Sequence, residues 1–209
     1  MESIPPSGKI DDLSLWSLLI KGDQKALELL YQKYYSLLLN YGLKCNPNKE
    51  LVKDCIQDLF VNIYQNTNIN TANITVRSYL LRALRNNLIY KLSSQKEEES
   101  LDDVAFHIPE NEDLFEQLFP KNDDDMLLAR RLLDAMSQLS TNQKSVLYLR
   151  YVKDLSYKEI ADVMDINVQS SMNLANRALT KLRSLIGQDE HLLSIWQLFI
   201  IKMVSLLSH

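Results

Sequence analysis

Residues 154–183 combine the side-chain types that contact base edges and phosphates in DNA. Amides stand at Gln169 and Asn173, and cations follow at Arg177 and Lys181. Asn and Gln can hydrogen-bond adenine in pairs, whereas Arg and Lys neutralise phosphates or contact guanine. At 100° per residue these side chains share one face of a helix. The spacing alone fits an ordinary solvated helix equally well, because periodicity specifies a helix and not a ligand.

Two helices joined by a short turn are predicted to position this polar face. Ser156 and Glu159 have the S-x-x-E spacing of a capping box, which satisfies backbone N–H groups at a helix start. Residues 165–167 form a three-residue turn, and Val168 begins the second helix. The opposite face of that helix is small or apolar and can approach its partner closely; it comprises Ser171, Leu174, Ala175, Ala178, Leu182 and Leu185.

This segment resembles the carboxy-terminal DNA-binding domain of extracytoplasmic-function sigma factors, in the form common in Bacteroidetes members. The matching residues are Leu155-Ser156-Tyr157-x-Glu159-Ile160-Ala161, Ile166-Asn167-x-Gln169-Ser170 and Asn173-Leu174-x-x-Arg177-Ala178-Leu179-x-x-Leu182-Arg183. The resemblance implies that the promoter minus-35 element is contacted by Gln169, Ser170, Met172, Asn173, Asn176, Arg177 and Lys181. A basic residue is usual in the family where Met172 stands, which implies a different or weaker promoter contact at this position.

The charge of the chain is divided unevenly along its length. The net charge is −4, but residues 11–95 contain 10 Lys and Arg against 7 Asp and Glu. Residues 126–187 contain 9 basic against 5 acidic residues, whereas residues 96–125 contain 2 basic against 12 acidic residues. Two mildly basic domains joined by an acidic linker therefore fit a nucleic-acid partner better than the total suggests.

The chain lacks the residue patterns of an enzyme or a metalloprotein. Cys45 and Cys55 are its two cysteines, and they form no CxxC or Cys/His pattern, so we expect no metal. No nucleophile–base pair and no phosphate-binding glycine loop is recognisable, so we expect no catalytic residues and no cofactor. The amino terminus has neither the basic nor the apolar region of a signal peptide, and unpaired thiols are typical of a reducing cytosol.

The amino-terminal half is predicted to form helices over 12–20, 23–43, 50–65 and 76–95. In the third helix, Val52, Ile56, Leu59 and Ile63 have the spacing of a buried face. Its polar face could be simply solvated. The pattern Asp54-x-x-Gln57-Asp58-x-Phe60, however, resembles the sigma-factor motif that binds the clamp helices of RNA polymerase. The resemblance implies polymerase contacts from Asp54, Gln57, Asp58 and Phe60.

A polar loop over 65–75 contains a cluster of asparagines and could be only a connector. In the sigma-factor family the corresponding loop captures a base flipped out of the promoter, a task for which amides offer donors and acceptors. The following helix places Ser78, Arg82, Arg85, Asn86 and Ile89 toward one outer face and is predicted to bury Tyr79, Leu80, Ala83, Leu84, Leu88 and Leu92. The resemblance implies minus-10 contacts from Asn66, Asn68, Asn70, Asn73, Arg82, Arg85 and Asn86.

The linker and the carboxy terminus leave alternatives open. The acidity of 96–125, with Phe106, Phe115 and Phe119, is typical of a flexible or partner-ordered segment, and a solvated spacer and a polymerase-threading linker fit equally well. A further hypothesis is that acidic side chains of the linker mask the basic DNA-binding faces in the free protein. The apolar tail 191–209 is shorter than a spanning helix and is interrupted by Gln197 and Lys202. We expect an added helix that packs on the protein or in a partner groove; membrane contact is the minor alternative.

We therefore expect an all-α chain of two helical domains. The predicted boundaries are a tail at 1–10, a sigma region 2 bundle at 11–95, an acidic linker at 96–125, a sigma region 4 helix-turn-helix domain at 126–187 and an apolar carboxy-terminal helix at 188–209. The resemblance implies a cytoplasmic alternative sigma factor whose partners are core RNA polymerase, promoter DNA and an anti-sigma factor. A helix-turn-helix regulator that acts without polymerase and a membrane-associated interaction protein are the rival hypotheses.

Overall fold

A computed structural model describes residues 11–66, 69, 74–94, 106, 130–131 and 134–186. No strand occurs in these ranges, in agreement with the predicted all-α fold. The helices with described bounds are α1 (Asp12–Ile20), α2 (Gln24–Cys45), α3 (Lys49–Gln65), α4 (Val76–Ser93), α5 (Thr141–Leu147), a π-helical turn (Tyr148–Val152), α6 (Tyr157–Met164) and α7 (Val168–Ile186). Residues 130–131 and 134–137 are also helical.

Short polar side chains begin each of the first four helices. Asp11, Asp23, Asn48 and Thr75 have extended backbones, and each side chain accepts a hydrogen bond from a backbone N–H in the first turn. Gly22 precedes Asp23 with a φ of 86°, a conformation that glycine adopts without a Cβ penalty. The predicted end of α1 at Gly22 and start of α2 at Asp23 are thus confirmed.

The amino-terminal helices form a bundle around α2, which packs against α1, α3 and α4. The predicted inner face of α3 is buried, and the bundle core also includes Leu19, Leu30, Leu38, Tyr41, Leu80, Leu84 and Leu88. At Gly42 the helices α2 and α3 approach so closely that a Cβ would lie 2.4 Å from Val52 Cγ1. A side chain at this position would collide with Val52, so either the valine side chain or the helix that carries it would have to move.

The structure corrects three details of the predicted faces. Ser78 is fully buried in the first turn of α4, where its backbone N–H donates to Thr75 Oγ1 and its hydroxyl lies 2.9 Å from the same oxygen, so its polar groups are satisfied within the helix cap. Leu81 is also fully buried, although the sequence pattern did not select it. In α7, Leu185 is 39% exposed, because it lies in the last turn of the helix.

The carboxy-terminal helices form a helix-turn-helix unit. The predicted capping box of Ser156 and Glu159 is present at the start of α6. Asp165 ends α6 in the left-handed conformation with φ 57° and ψ 46°, and α7 follows three residues later. The buried Ser171 hydroxyl donates to the Tyr157 carbonyl at 2.9 Å, which fixes α7 against α6. The close approach predicted from small residues on α7 is therefore confirmed.

The two helical domains pack against each other, mainly through α4 and α6. Within the predicted acidic linker, Phe106 is described, and it is 5% exposed between the two domains. The rest of the linker and the apolar tail lie outside the described residues. In the part of the chain that is described, no helix is long and apolar enough to cross a membrane.

Candidate functional site

The outer face of α7 presents an ordered row of polar side chains. Gln169 Nε2 donates to Asn173 Oδ1 at 3.1 Å, so the two amides support each other along the helix. Arg177 Nε donates to the Asn173 carbonyl at 3.3 Å, and all three residues are exposed. This arrangement leaves amide and guanidinium donors directed away from the domain core, where a DNA groove could accept them.

The other predicted residues of α7 differ in how free they are to contact a ligand. Asn176 is exposed, Met172 is 38% exposed and Ser170 is half-buried in the first turn, with its backbone N–H bonded to Asn167 Oδ1 at 2.7 Å. Lys181 Nζ donates to the Gln138 carbonyl at 2.6 Å. The Lys181 charge is thus already held against its own domain, although it remains on the exposed face.

The π-helical turn before α6 supports the helix-turn-helix unit from one side. Arg150 Nη1 donates to the Leu155 carbonyl at 2.9 Å, and its guanidinium lies 5.2 Å from the ring centre of Tyr157. Leu155 is fully buried next to the capping box. These contacts fix the start of α6 and, through it, the angle at which α7 is presented.

The predicted minus-10 residues of α4 lie at the contact between the two domains. Arg82 pairs with Asp165, the residue that ends α6. Arg85 is half-buried; burial raises the pKa of Tyr41 and of Cys45 in α2, and the Arg85 charge opposes this rise. Asn86, in contrast, is exposed. Of the two arginines that were predicted to meet phosphates, Arg82 is therefore directed toward the carboxy-terminal domain.

Most of the asparagine loop lies outside the described residues, including Asn68, Asn70 and Asn73. Asn66 is exposed at the end of α3, where its backbone N–H bonds the Asn62 carbonyl at 3.1 Å. At the other end of the loop, Thr75 caps α4, and its hydroxyl lies 3.4 Å from Glu159 Oε1 of α6. The carboxy-terminal domain thus contacts the residue at which the loop joins α4.

The predicted polymerase motif on α3 is divided between surface and core. Asp54 and Gln57 are exposed, as expected. Asp58 is also exposed, and its carboxylate pairs with Lys91 Nζ of α4 at 2.6 Å, a hydrogen bond that raises the pKa of Lys91. Phe60 is only 4% exposed and its ring contacts Tyr31 edge-on, with ring centres 5.1 Å apart.

An apolar groove between α2 and α3 adjoins this motif. It has a volume of about 880 Å³, and its lining includes Gln57, Phe60 and the partly exposed Tyr31, Val61 and Tyr64. Phe60 thus reaches the surface only as part of the groove floor. Exposed apolar side chains beside exposed acids and an amide are a suitable combination for a protein partner with a basic, amphipathic surface.

An aromatic cluster between the domains was not predicted from the sequence. It comprises Tyr41 of α2, Phe106 of the linker and Tyr148 of the π-helical turn, and we call it the interdomain aromatic cluster. The Phe106 ring centre lies 5.2 Å from that of Tyr148 and 6.5 Å from that of Tyr41. No sequence signal distinguishes Phe106 from the other linker phenylalanines, because its burial depends on both domains.

Two lysines lie close together beside this cluster. Lys44 of α2 is 6% exposed, and burial followed by repulsion from Lys153 lowers its pKa to about 8. Burial also lowers the pKa of Lys153, whose Nζ lies 5.5 Å from the Tyr148 ring centre. Among the described residues neither lysine forms a salt bridge.

The cysteines are placed as small apolar core residues. Cys45 and Cys55 are both buried, and burial raises the pKa of the Cys45 thiol to about 12 and raises that of Cys55. Across the described ranges, no group of three or more His, Cys, Asp and Glu side chains could hold a metal ion.

Two family models match this chain. The Sigma-70 region 2 model matches residues 30–98, and the Sigma-70, region 4 model matches residues 129–182. Together they cover more than half of the chain, in the order and spacing of its two helical domains.

Curated relatives match over most of their length. The ECF RNA polymerase sigma factor SigM of Bacillus subtilis is 24% identical over 159 residues, which are 76% of this chain and 94% of the relative. The RNA polymerase sigma factor YlaC of the same organism is 25% identical over 166 residues, and the match covers 76% of this chain and 90% of the relative. The ECF RNA polymerase sigma-E factor of Haemophilus influenzae is 26% identical over 171 residues, and the match covers 77% of this chain and 87% of the relative.

Solved structures share the fold at low sequence identity. CnrH, solved in complex with the cytosolic domain of CnrY, aligns with a TM-score of 0.53 at 20% identity over 86% of this chain and 99% of its own. RpoE of Bartonella quintana, solved with the anti-sigma factor NepR, aligns with a TM-score of 0.54 at 16% identity over 79% and 99%.

Proposed function

This chain belongs to the sigma-70 family, among its extracytoplasmic-function members. From this premise we propose which residues contact the promoter and which contact core polymerase. The protein is an alternative sigma factor, which binds core RNA polymerase, recognises minus-35 and minus-10 promoter elements and promotes melting and initiation. The motif of residues 155–183 supports its assignment to the Bacteroidetes type.

The minus-35 element is assigned to the outer face of α7. The strongest support is the exposed row of Gln169, Asn173 and Arg177 on a capped helix-turn-helix unit. Gln169 and Asn173 are suited to adenine edges, and Arg177 to a phosphate or guanine. Met172 offers an apolar contact where the family has a cation, which suits a thymine methyl group.

The minus-10 element and the melted base are assigned to α4 and the loop before it. Asn86 is exposed for such a contact, and Arg82 becomes available when its pair with Asp165 opens. Arg85 is half-buried on the same helix and is assigned to the same element. The loop asparagines capture an unstacked base, so their replacement by Ala reduces open-complex formation more than closed-complex binding. Permanganate footprinting measures opening and a gel shift measures binding; equal losses in both would contradict the assignment.

Core polymerase is assigned to the α3 surface and the adjacent groove. Asp54 and Gln57 are exposed at its edge, and the groove offers apolar area from Tyr31 and Val61. Asp54→Lys is therefore expected to reduce recovery of the protein with core enzyme in a pull-down. Glu50→Lys is the matched control, since it reverses an exposed carboxylate of the same helix outside the motif. Equal recovery of both variants would contradict the assignment.

The remaining parts of the proposal concern partners and location. Because RpoE was solved with the anti-sigma factor NepR and CnrH with the cytosolic domain of CnrY, we include an anti-sigma factor among the partners of this chain. The protein acts on cytoplasmic polymerase, and its contribution to initiation is binding and positioning rather than catalysis.

Run-off transcription tests the function as a whole. The purified chain is added to core polymerase with a library of promoter fragments, and the start sites are mapped. A sigma factor produces discrete start sites that share upstream elements. A helix-turn-helix regulator that acts without polymerase would bind duplex DNA but would yield no specific transcript in this assay.

A further inference from the structure

Two exposed apolar side chains lie next to the amide row of α7. Val168 is 43% exposed and Met172 is 38% exposed, and they stand four residues apart on the helix. Each is followed directly by an amide, Gln169 or Asn173, so an apolar residue and an amide occur together twice, about one helical turn apart. The amino-terminal end of α7 therefore presents two parallel rows, one apolar and one of amides.

The packing of α7 fixes the direction of both rows. Ser171 is fully buried, and its hydroxyl lies 2.9 Å from the Tyr157 carbonyl oxygen of α6 and 2.8 Å from the Val168 carbonyl oxygen. Ala175, one turn further along, is also fully buried. Rotation of α7 that brought Val168 or Met172 into the core would break these contacts, so both side chains stay on the outer surface.

An A·T base pair offers a partner to each row in the major groove. Adenine presents N7 as an acceptor and N6 as a donor, which an amide can pair, and thymine presents a methyl group that takes an apolar contact. Gln169 and Asn173 share one hydrogen bond, and each keeps a further N–H and a carbonyl lone pair for a base. An apolar side chain beside an amide therefore matches an A·T pair better than a G·C pair, which has no methyl group.

The spacing along α7 suits neighbouring base pairs. Four residues of an α-helix rise about 6 Å, whereas successive base pairs are about 3.4 Å apart. The major groove is about 12 Å wide, close to the diameter of a helix with its side chains, so adjacent side chains of α7 can reach different strands. Val168 with Gln169, and Met172 with Asn173, can thus contact two base pairs that are one or two steps apart.

We propose that these two sets of side chains recognise two A·T base pairs of the minus-35 element, with Val168 and Met172 each contacting a thymine methyl group. The inference rests on the proposed function, because it assigns preferred bases to the same face of α7. Gln169 and Asn173 contact the adenine edges. The methyl contacts make the preferred base thymine rather than uracil, a difference to which the hydrogen bonds between amide and adenine are insensitive.

Replacement of thymine by uracil tests the inference, because it removes the methyl group and keeps the base pair. Core polymerase complexed with the full chain first selects its preferred sequence from duplexes randomised at the minus-35 element. Each thymine of that sequence is then replaced singly by uracil, and the Kd is measured. At two positions, one or two base pairs apart, uracil should weaken wild-type binding about fourfold, as expected for one buried methyl-sized group.

The variants assign each methyl group to one side chain. Val168→Ala should lose the response to uracil at one of the two positions, and Met172→Ala at the other. Met172→Leu keeps an apolar side chain and should retain the response. Leu185→Ala is the matched control, because Leu185 is 39% exposed in the last turn of the same helix, and it should respond like the wild type. Circular dichroism verifies the helix content of each variant.

The outcomes separate this inference from the proposed function. A selected element without A·T pairs, or one in which uracil has no cost for the wild type, would overturn the inference and leave the sigma-factor function in place. The same conclusion would follow if uracil had an equal cost for the wild type and for both Ala variants. Enrichment of no sequence by the complex, with no transcript in the run-off assay, would overturn both.

Discussion

Arg82 illustrates how one side chain can serve two exclusive contacts. Its guanidinium pairs with Asp165 in the structure, and the same group is assigned to the promoter when the domains separate. Since Asp165 is 67% exposed in its side chain, the pair is well solvated and adds little stability by itself. A weak, exposed pair of this kind is suited to a contact that must be exchanged for DNA phosphate.

Arg177 allows a direct test of phosphate contact. Arg177→Ala should weaken promoter binding by the polymerase complex and reduce the salt slope by about 1, because one phosphate contact fewer releases fewer counterions. Binding measured over a range of salt concentrations gives this slope. Arg183→Ala is the control, since Arg183 is also exposed on α7 but lies on a different face. Equal slopes for both variants would place Arg177 outside the DNA contact.

Gln169 and Asn173 are expected to act as a unit. Their side chains share a hydrogen bond, so Gln169→Ala and Asn173→Ala should each relax base preference at the minus-35 element by roughly 1–3 kcal/mol. The double variant should lose less than the sum, because each single change also disturbs the other amide. A binding selection on randomised minus-35 duplexes gives these energies. Full additivity would indicate independent contacts.

Lys44 predicts a pH dependence of stability. Its pKa is about 8 in the folded chain and near the ordinary lysine value in the unfolded chain. At a pH between these two values, Lys44 therefore binds more protons in the unfolded state than in the folded state. The free energy of unfolding therefore rises with pH across this window. Lys44→Met should be more stable than wild type at pH 7, and the difference should narrow by pH 9.5 in chemical denaturation. A constant difference would contradict the assigned cause.

At the scale of elements, α6 depends strongly on its first turn. It has eight residues, too few for independent helical stability, and it contacts both α7 and α4. Its capping box joins Ser156 Oγ to the Glu159 N–H at 3.2 Å and the Ser156 N–H to Glu159 Oε2 at 2.9 Å. The presentation of α7 and the contact with α4 therefore both begin at this cap.

Ser156→Ala should lower the free energy of unfolding by about 1 kcal/mol, as expected for loss of an N-cap. Ser36→Ala, at an exposed position within α2, should change it by less than about 0.5 kcal/mol. Urea denaturation followed by circular dichroism compares the two. If the two losses were equal, the cap would have no special part in stability.

For the molecule as a whole, the packing of the two domains against each other predicts coupled unfolding. While α4 and α6 pack together, each domain is stabilised by the other, so the domains should unfold in one transition. The double variant Phe106→Ala and Asp165→Asn should separate this transition into two. Differential scanning calorimetry measures both curves, and Glu50→Gln should retain the wild-type profile. Two separate transitions in the wild type would show that the domain contact contributes little.

The sequence alone determined the local elements and the polar face of α7. Helix starts at Asp23 and Ser156, the buried face of α3 and the turn after α6 follow from periodicity and capping, which act over a few residues. The helix-turn-helix and the order of the two domains were recognisable because many residues at fixed spacing specify them. The linker boundaries and the apolar tail remain predictions.

Only the tertiary structure decided which predicted site residues are exposed and unpaired, and so able to contact a partner. Arg82 is paired across the domains, Phe60 is buried and Phe106 lies between two distant rings, although nothing in their local sequence distinguishes them. Pairing between residues 82 and 165, or 41 and 148, depends on the relative orientation of two domains. Helical periodicity contains no information about that orientation, because it repeats every 3.6 residues and ends with each helix. The arrangement of the two domains is therefore a property of the packed chain.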